Sequence, residues 1–108
     1  MTSPELAAAV ANLFPAIRRW ASDRNLILGA TSHAQMLKMT EEVGELAAGI
    51  ARGNAALIKD SIGDCVVVLT ILAAQNNLTI EECTASAYNE IKDRKGRMVN
   101  GVFVKDDL

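Results

Sequence analysis

The sequence from Lys38 to Gln75 reads KMTEEVGELAAGIARGNAALIKDSIGDCVVVLTILAAQ, and this stretch decides the fold. Its first half has apolar residues at helical spacing, which predicts a helix from a cap at Thr31 or Ser32 to Arg52. Gly53-Asn54 is expected to end that helix. The residues expected to face the core are Met39, Val43, Leu46, Ala47 and Ile50.

The second half, from about Ala55 to Gln75, fits two secondary structures. The segment CVVVLTILAA is rich in β-branched residues, which favours a buried strand. Length favours a helix, because 57–74 contains one glycine and no proline and Asn76-Asn77 supplies the break. We expect one long helix that is apolar nearly all round. Three neighbouring helices of one chain would not cover it, so a homo-oligomer, a dimer or a tetramer, is expected.

The flanking segments add two helices. Ser3-Pro4-Glu5 predicts a helix to about Arg24, kinked at Pro15. Thr79 and Glu82 form a capping box, which predicts a last helix ending near Gly96. Asn100-Gly101 predicts a small hairpin or an arm on a neighbour. The expected fold is therefore all-α, a four-helix bundle in one domain of residues 1–108.

The composition excludes several classes of protein. Half of the 108 residues are hydrophobic and the formal net charge is −2, as in an ordinary globular domain without a nucleic-acid partner. No apolar run is long enough to span a membrane, and the first residues do not resemble a signal peptide. Cys65 and Cys83 lie in helical stretches, which favours reduced thiols. We therefore expect a cytoplasmic protein, in the host cytoplasm if a phage encodes it.

Acidic residues recur at helical spacing in both halves of the deciding stretch. Glu42 and Glu45 are three residues apart and Glu41 and Glu45 four apart, so they lie on neighbouring rows of one helix face. Asp60 and Asp64 are four apart on the next helix. Their face also carries the apolar residues Leu57, Val68 and Ile71. Asp60 and Asp64 are therefore expected to point toward the core.

Clustered carboxylates need a compensating charge. Two of them about 4 Å apart repel by roughly 4 kcal/mol at an effective dielectric near 20. A proton, a lysine or a divalent cation offsets this, and oxygen ligands drawn from two helices suit Mg²⁺. Lys38 lies one turn before Glu42 and either pairs with the acids or reaches toward a phosphate. The alternative for EEVGE alone is a solvated helix face.

The two acidic segments resemble those of a known family. The segment Lys38–Leu46 resembles the EExxE helix of MazG-like nucleotide pyrophosphohydrolases, and Asp60–Asp64 the acidic helix that follows it. The resemblance extends from Trp20-Ala21 to Tyr88–Arg97, and the compact form looks like those of phages and bacteria. In the family an ExxE pair and an ExxD pair bind magnesium.

The chain departs from that pattern at one position. Glu42, Glu45 and Asp64 match three of the four acids, whereas Ser61 occupies the place of the third. Either Asp60 supplies the missing carboxylate, which we favour, or the metal site is weaker. A serine hydroxyl can also hold a magnesium-bound water. The expected metal-binding and catalytic set is Glu42, Glu45, Asp60 and Asp64, with Mn²⁺ as a possible substitute for Mg²⁺.

The resemblance also implies residues that contact the substrate. Asn89, Lys92 and a later basic residue, Lys95 or Arg97, would meet the triphosphate, unless they are only a solvated basic helix end. Lys38 and Glu41 complete the expected substrate-binding set. Trp20 is expected to stack on the base or else to belong to the core.

The activity that the resemblance implies is magnesium-dependent hydrolysis of a nucleoside triphosphate to a monophosphate and pyrophosphate, by in-line attack of water. Its cellular role would be housecleaning of the nucleotide pool. Two alternatives stay open. One is a non-catalytic helical dimerisation module, which the serine at position 61 favours. The other is a related pyrophosphohydrolase acting on phosphoribosyl-ATP or on one pyrimidine deoxynucleotide.

Overall fold

The structure is a computed structural model that describes residues 2–106, and it confirms the all-α class. Five helices are followed by a two-stranded hairpin. Their bounds are α1 Ser3–Ala11, α2 Leu13–Asp23, α3 Ser32–Arg52, α4 Ala55–Gln75, α5 Ile80–Ile91, β1 Gly96–Val99 and β2 Val102–Lys105. If α1 and α2 are counted as one interrupted helix, the number of helices is the expected four.

The N-terminal segment is broken rather than kinked. The prediction of one helix to Arg24 was wrong, because α1 ends and α2 begins on either side of Asn12. Pro15 has no N–H and cannot bond to the Ala11 carbonyl, which interrupts the helical pattern. The Asn12 side chain donates a 3.2 Å hydrogen bond to the Ala8 carbonyl oxygen and so completes the end of α1.

The helices α3 and α4 pack against each other through a tight turn. Gly53 has φ +62°, the left-handed conformation that commonly ends helices. The Asn54 side chain then accepts a 3.1 Å hydrogen bond from the Leu57 N–H and caps α4. The two helices come very close at Gly49, where an added Cβ would lie 3.2 Å from Ile58 Cγ1. A short connection and a glycine contact therefore hold α3 against α4.

Helix α4 is the centre of the fold. The helical alternative for CVVVLTILAA is confirmed, and α4 packs against α2, α3 and α5. Its first half buries a single face, whereas its second half is buried nearly all round. The buried residues of α4 are Ser61, Cys65, Val68, Thr70, Ile71 and Ala73.

The buried face of α3 is not the expected one. Val43, Ala47 and Ile50 are exposed, whereas Glu42 and Gly49 are buried. Within residues 2–106, α3 packs extensively only against α4. The apolar stripe of α3 is wide enough to pack against two helices. Because α4 covers only one half of the stripe, the other half stays exposed. Met39 and Leu46 are half-buried, in keeping with the other half of the prediction.

The C-terminal region forms the predicted hairpin. Helix α5 begins with the expected capping box at Thr79 but ends at Ile91, earlier than predicted. The pairing of β1 with β2 aligns Gly96 with Lys105. Asn100 and Gly101 both have positive φ, as a type I′ turn requires. Because Gly96 opens a strand, the chain has to leave the helical path before it.

The overall shape is extended for a chain of this size. The Cα radius of gyration is 16.7 Å, whereas a compact domain of 108 residues has about 13 Å. Of the residues that the structure describes, five apolar ones are buried: Ala21, Cys65, Val68, Ile71 and Ala73. The core of one chain is therefore thin. Among residues 2–106 no helix is both long and apolar enough to cross a membrane.

Candidate metal centre

Three carboxylates from two helices meet at one point on the structure. Glu42 and Glu45 of α3 and Asp64 of α4 each offer an oxygen, and these oxygens lie within 4.8 Å of one another. The i,i+3 spacing brings the two glutamates onto one face. The tight Gly53-Asn54 connection then brings α4 alongside that face. The sequence-predicted acids Glu42, Glu45 and Asp64 are thus brought together.

Glu42 is the buried member of this cluster. Its side chain is nearly enclosed, with 5% of the residue surface exposed. Oε1 lies 3.3 Å from the Lys38 Nζ, but Oε2 is buried and has no hydrogen-bond partner among residues 2–106. A buried carboxylate oxygen without a partner is costly unless a cation or a donor reaches it. This orphaned oxygen is the feature of the cluster that fits a bound cation.

Asp64 is one of the two exposed members, with Glu45, and its pKa is raised above the ordinary value for aspartate. Partial desolvation is the main cause, followed by the negative charge of nearby Glu42. The charge of Asp60 raises the pKa further, and that of Lys38 lowers it. Asp64 therefore holds a proton more readily than an isolated aspartate does, as expected in a cluster of like charges.

Asp60 and Asp64 do not point toward the core, and that prediction was wrong. Both are exposed, whereas Ser61 and Cys65, each one residue later, are buried. In the first half of α4 the buried face is therefore rotated by one residue from the predicted one, whereas Val68 and Ile71 are buried as expected. Asp60 lies outside the 4.8 Å group of oxygens, although it is near enough to influence the pKa of Asp64.

Ser61, which stands where the family has its third acid, is fully buried. Its exposed fraction is 0%, and within the described part of the chain its Oγ has no hydrogen-bond partner. No local pattern indicated this burial, because serine at a helical position is more often exposed. A small side chain at position 61 suits this complete burial.

Lys38 and Glu41 lie at the edge of the cluster. The Lys38 Nζ is 3.3 Å from Glu42 Oε1 and 3.5 Å from Glu41 Oε2. The hydrogen bond and charge of Glu42, followed by those of Glu41, raise the pKa of Lys38. Of the two roles expected for Lys38, pairing with the acids is the one that the structure contains.

Trp20 of α2 is close to the cluster, across a cavity of about 500 Å³. The cavity is lined by Trp20, Asp64, Ala16, Ile17 and Val67. Trp20 is 45% exposed, so it is not the core residue that the alternative interpretation required. Its ring also contacts the guanidinium of Arg24, 4.5 Å from the ring centroid. The i,i+4 spacing of Trp20 and Arg24 is the sequence signal that predicts this contact.

The basic residues expected to bind phosphate lie elsewhere in the chain. Asn89 is on α5, Lys92 ends that helix, and both are exposed. Lys95 lines a separate cavity of about 420 Å³ with Glu90, Asp93, Arg94, Lys105 and Asp106. Within residues 2–106, no ion pair joins Lys92 or Lys95 to the acidic cluster. Their role in phosphate binding stays a prediction.

Comparison with known proteins adds two findings. Residues 30–99, which include α3, α4, α5 and β1, match the MazG nucleotide pyrophosphohydrolase domain. The chain is also 48% identical over 71 residues to an uncharacterised 18.2 kDa protein from the rep-hol intergenic region of Haemophilus phage HP1. That match covers 66% of this chain and 44% of the phage protein, so the chain spans less than half of that relative's length. No solved structure matches the chain.

Proposed function

Because this chain belongs to the MazG nucleotide pyrophosphohydrolase family, we propose that it hydrolyses nucleoside triphosphates, ribo or deoxyribo, to monophosphate and pyrophosphate with magnesium. The observation that carries the proposal is the meeting of Glu42, Glu45 and Asp64 within 4.8 Å, with one buried oxygen of Glu42 unpartnered. Such a cluster of hard oxygen donors suits Mg²⁺, and Mn²⁺ is an acceptable substitute.

Glu42, Glu45 and Asp64 would hold the metal. When bound, magnesium supplies neutralisation of the phosphate charge and activation of water for attack on phosphorus. The remaining work belongs to the side chains of the protein. Lys38 holds one oxygen of Glu42 through an ion pair and leaves the other free to act as a ligand. The buried position of Glu42 fixes its orientation before substrate arrives.

Asp60 and Asp64 are the groups that orient the attacking water. Asp64 lies in the three-oxygen cluster, where it would bind the metal beside the attacking water. Asp60, predicted as the fourth acid, lies outside the three-oxygen cluster but near enough to influence Asp64, and it is proposed as a fourth ligand that binds more weakly or as an auxiliary base for the water. Ser61 is a second candidate for holding a metal-bound water.

The rest of the substrate would lie across the cavity toward Trp20. The indole offers a stacking surface for the base, and Asp64 places that cavity next to the metal cluster. Asn89, Lys92 and Lys95 are proposed to bind the phosphates with Lys38 and Glu41. Since they are not joined to the cluster within the described chain, a second copy of the protein is one way to bring them there.

We further propose that the protein is a homo-oligomer, a dimer or a tetramer. The exposed apolar half of α3 includes Val43, with 48% of its surface exposed, and Ile50, with 63%. The extended shape and thin core described above point the same way. A second copy packed on α3 would cover this surface and complete the burial that one chain lacks.

The test is a panel of canonical and modified nucleoside triphosphates, incubated with and without magnesium, with released pyrophosphate and monophosphate quantified. We expect equal amounts of both products, and loss of turnover in excess chelator. Release of inorganic phosphate instead, or activity unaffected by chelator, would contradict the proposal.

A chain that binds magnesium and nucleotide but turns over none of the panel would favour the non-catalytic dimerisation module. The panel should include phosphoribosyl-ATP and the pyrimidine deoxynucleotides, which test the related hydrolases. A broad profile would fit housecleaning of the nucleotide pool.

A further inference from the structure

Arg24, the C-cap residue that follows α2, lies over the ring of Trp20. The centre of its guanidinium is 4.5 Å from the ring centroid, within range of a cation–π contact. Its Nη1 also donates a 3.1 Å hydrogen bond to the Trp20 carbonyl oxygen. Two contacts to the same residue, one to the ring and one to the main chain, therefore couple the guanidinium to the indole.

Trp20 forms a wall that is shared by two cavities. The cavity of about 500 Å³ contains Asp64 of the acidic cluster. The neighbouring cavity, of about 470 Å³, contains Arg24 together with Arg19 and Asp23. Arg24 thus lines the cavity that does not hold Asp64. Trp20 thus contacts a cationic partner and also lines the cavity that contains Asp64.

We infer that Arg24 is a positioning residue for the nucleobase, because it holds the Trp20 indole as one wall of the cavity that contains Asp64. The inference rests on the proposed function and adds the way in which the base is recognised. The other side chains of that cavity, Ala16, Ile17 and Val67, are apolar. The base is therefore held by stacking and apolar contact, and the volume lies in the range of small-molecule sites.

A purely structural role for Arg24 has to be separated from this one. A basic residue at the end of a helix interacts favourably with the helix dipole and bonds to the last carbonyls. Arg24→Lys keeps that charge but loses the planar guanidinium that stacks on an aromatic ring. Arg24→Lys and Arg24→Ala should therefore both weaken base binding, whereas a structural role predicts a defect mainly in Arg24→Ala.

The experiment uses the full chain, in which Trp20 is the single tryptophan. The probes are α,β-methylene-dATP, which resists cleavage at that bond, and inorganic tripolyphosphate, which has no base, both with magnesium. Trp20 emission reports base stacking, and calorimetry gives Kd for each probe. We expect Arg24→Ala and Arg24→Lys to raise the Kd of the nucleotide about fivefold and to leave that of tripolyphosphate unchanged.

Two further variants sharpen the test. Arg19→Ala removes the same charge from the same cavity without touching the cation–π pair, and it should bind the nucleotide like the wild type. In a Trp20→Ala background, Arg24→Ala should have no additional effect on nucleotide binding, because Arg24 acts through the indole. Circular dichroism of each variant checks that the helices are retained.

Three results would overturn the inference: wild-type affinity in Arg24→Lys, equal losses for nucleotide and tripolyphosphate, or an undiminished effect of Arg24→Ala in the Trp20→Ala background. The proposed function fails separately. If the wild type binds the nucleotide with an emission change that depends on Arg24 but releases no pyrophosphate from dATP, the recognition of the base stands and the hydrolysis does not.

Discussion

Replacing Glu42 by glutamine is expected to make the metal-free protein more stable and the enzyme inactive. The substitution keeps the shape of the side chain but removes the buried charge of the cluster. In its place, the amide donates hydrogen bonds to the neighbouring carboxylates. Lys38 is half exposed and keeps Glu41 as a partner, so the loss of its contact with Glu42 costs little.

The size of the effect follows from the distances in the cluster. At 4.8 Å, the upper limit of the separations between these oxygens, two unit charges repel by about 1 kcal/mol in water and about 3.5 kcal/mol at an effective dielectric of 20. Glu45 and Asp64 are exposed, so the lower value applies to each pair more closely. A net gain of about 1 kcal/mol corresponds to a Tm increase of roughly 4–8 °C for a chain of this size.

The assay is thermal unfolding in chelator and in excess magnesium, monitored by circular dichroism. At a magnesium concentration of about 100 times Kd, the wild type should gain about 2.7 kcal/mol, and Glu42→Gln should lose most of that gain. Pyrophosphate release should fall on the order of a hundredfold or more, as for loss of a major electrostatic group. Glu90→Gln, an exposed carboxylate on α5, is the matched control and should leave both melting temperatures nearly unchanged. A Glu42→Gln protein that is less stable than the wild type in chelator, or equally stabilised by magnesium, would refute the reasoning.

Three other perturbations test separate parts of the structure. Asp64→Asn should reduce turnover on the order of a hundredfold, and Asp60→Asn should reduce it less, because only Asp64 belongs to the three-oxygen cluster; steady-state kinetics decides. Ile50→Asp should split the oligomer, as measured by light scattering, because it places a charge in the exposed apolar half of α3. The hydrogen bond from Arg18 is the main cause that lowers the pKa of Glu81. The Arg18–Glu81 pair therefore contributes its full stability above about pH 4.3, the pKa of an unperturbed glutamate, and loses it as pH falls through the lowered pKa. Glu81→Gln should therefore weaken the dependence of the urea midpoint on pH below 4.3.

Each of these tests has its own control or contradictory outcome. Equal losses in the two aspartate variants would place Asp60 in the metal site as well. Leu28→Asp is the control for Ile50→Asp, because Leu28 lies in the α2–α3 connection and is almost fully exposed. A wild type that is monomeric at micromolar concentration would contradict the oligomer proposal. An unchanged pH profile in Glu81→Gln would mean that the 2.6 and 2.8 Å hydrogen bonds from Arg18 add nothing to stability.

Local sequence signals correctly predicted most element boundaries. The ends of α3 and the start of α4 follow from Thr31, Gly53 and Asn54, whose side chains or backbone conformations act within one turn. The same holds for the capping box at Thr79 and for the turn at Asn100-Gly101. The break at Asn12 was missed, since a proline in a helical pattern permits either a kink or an end and only the surrounding packing selects one.

The acidic cluster was predicted in part. The spacing of Glu42 and Glu45 was sufficient to place both on one face, because that relation is internal to a helix. Which residues of α4 meet them depends on how α4 is rotated about its own axis. In the structure Ser61 and Cys65 are buried, whereas Asp64 is exposed and its carboxylate meets those of Glu42 and Glu45. Asp60 and Asp64 were wrongly assigned to the core for this reason.

The sequence by itself therefore determined the helices, their caps and turns, and the pairs of acids, because each depends on interactions within a few residues. The tertiary structure decided that Glu42 rather than Val43 is buried, that Gly49 lets α4 approach, and that Trp20 faces Asp64 across one cavity. Helical periodicity gives the spacing of a stripe but not its width or its neighbour. The rotation of each helix is set by side chains from elsewhere in the chain, whose packing no local pattern encodes.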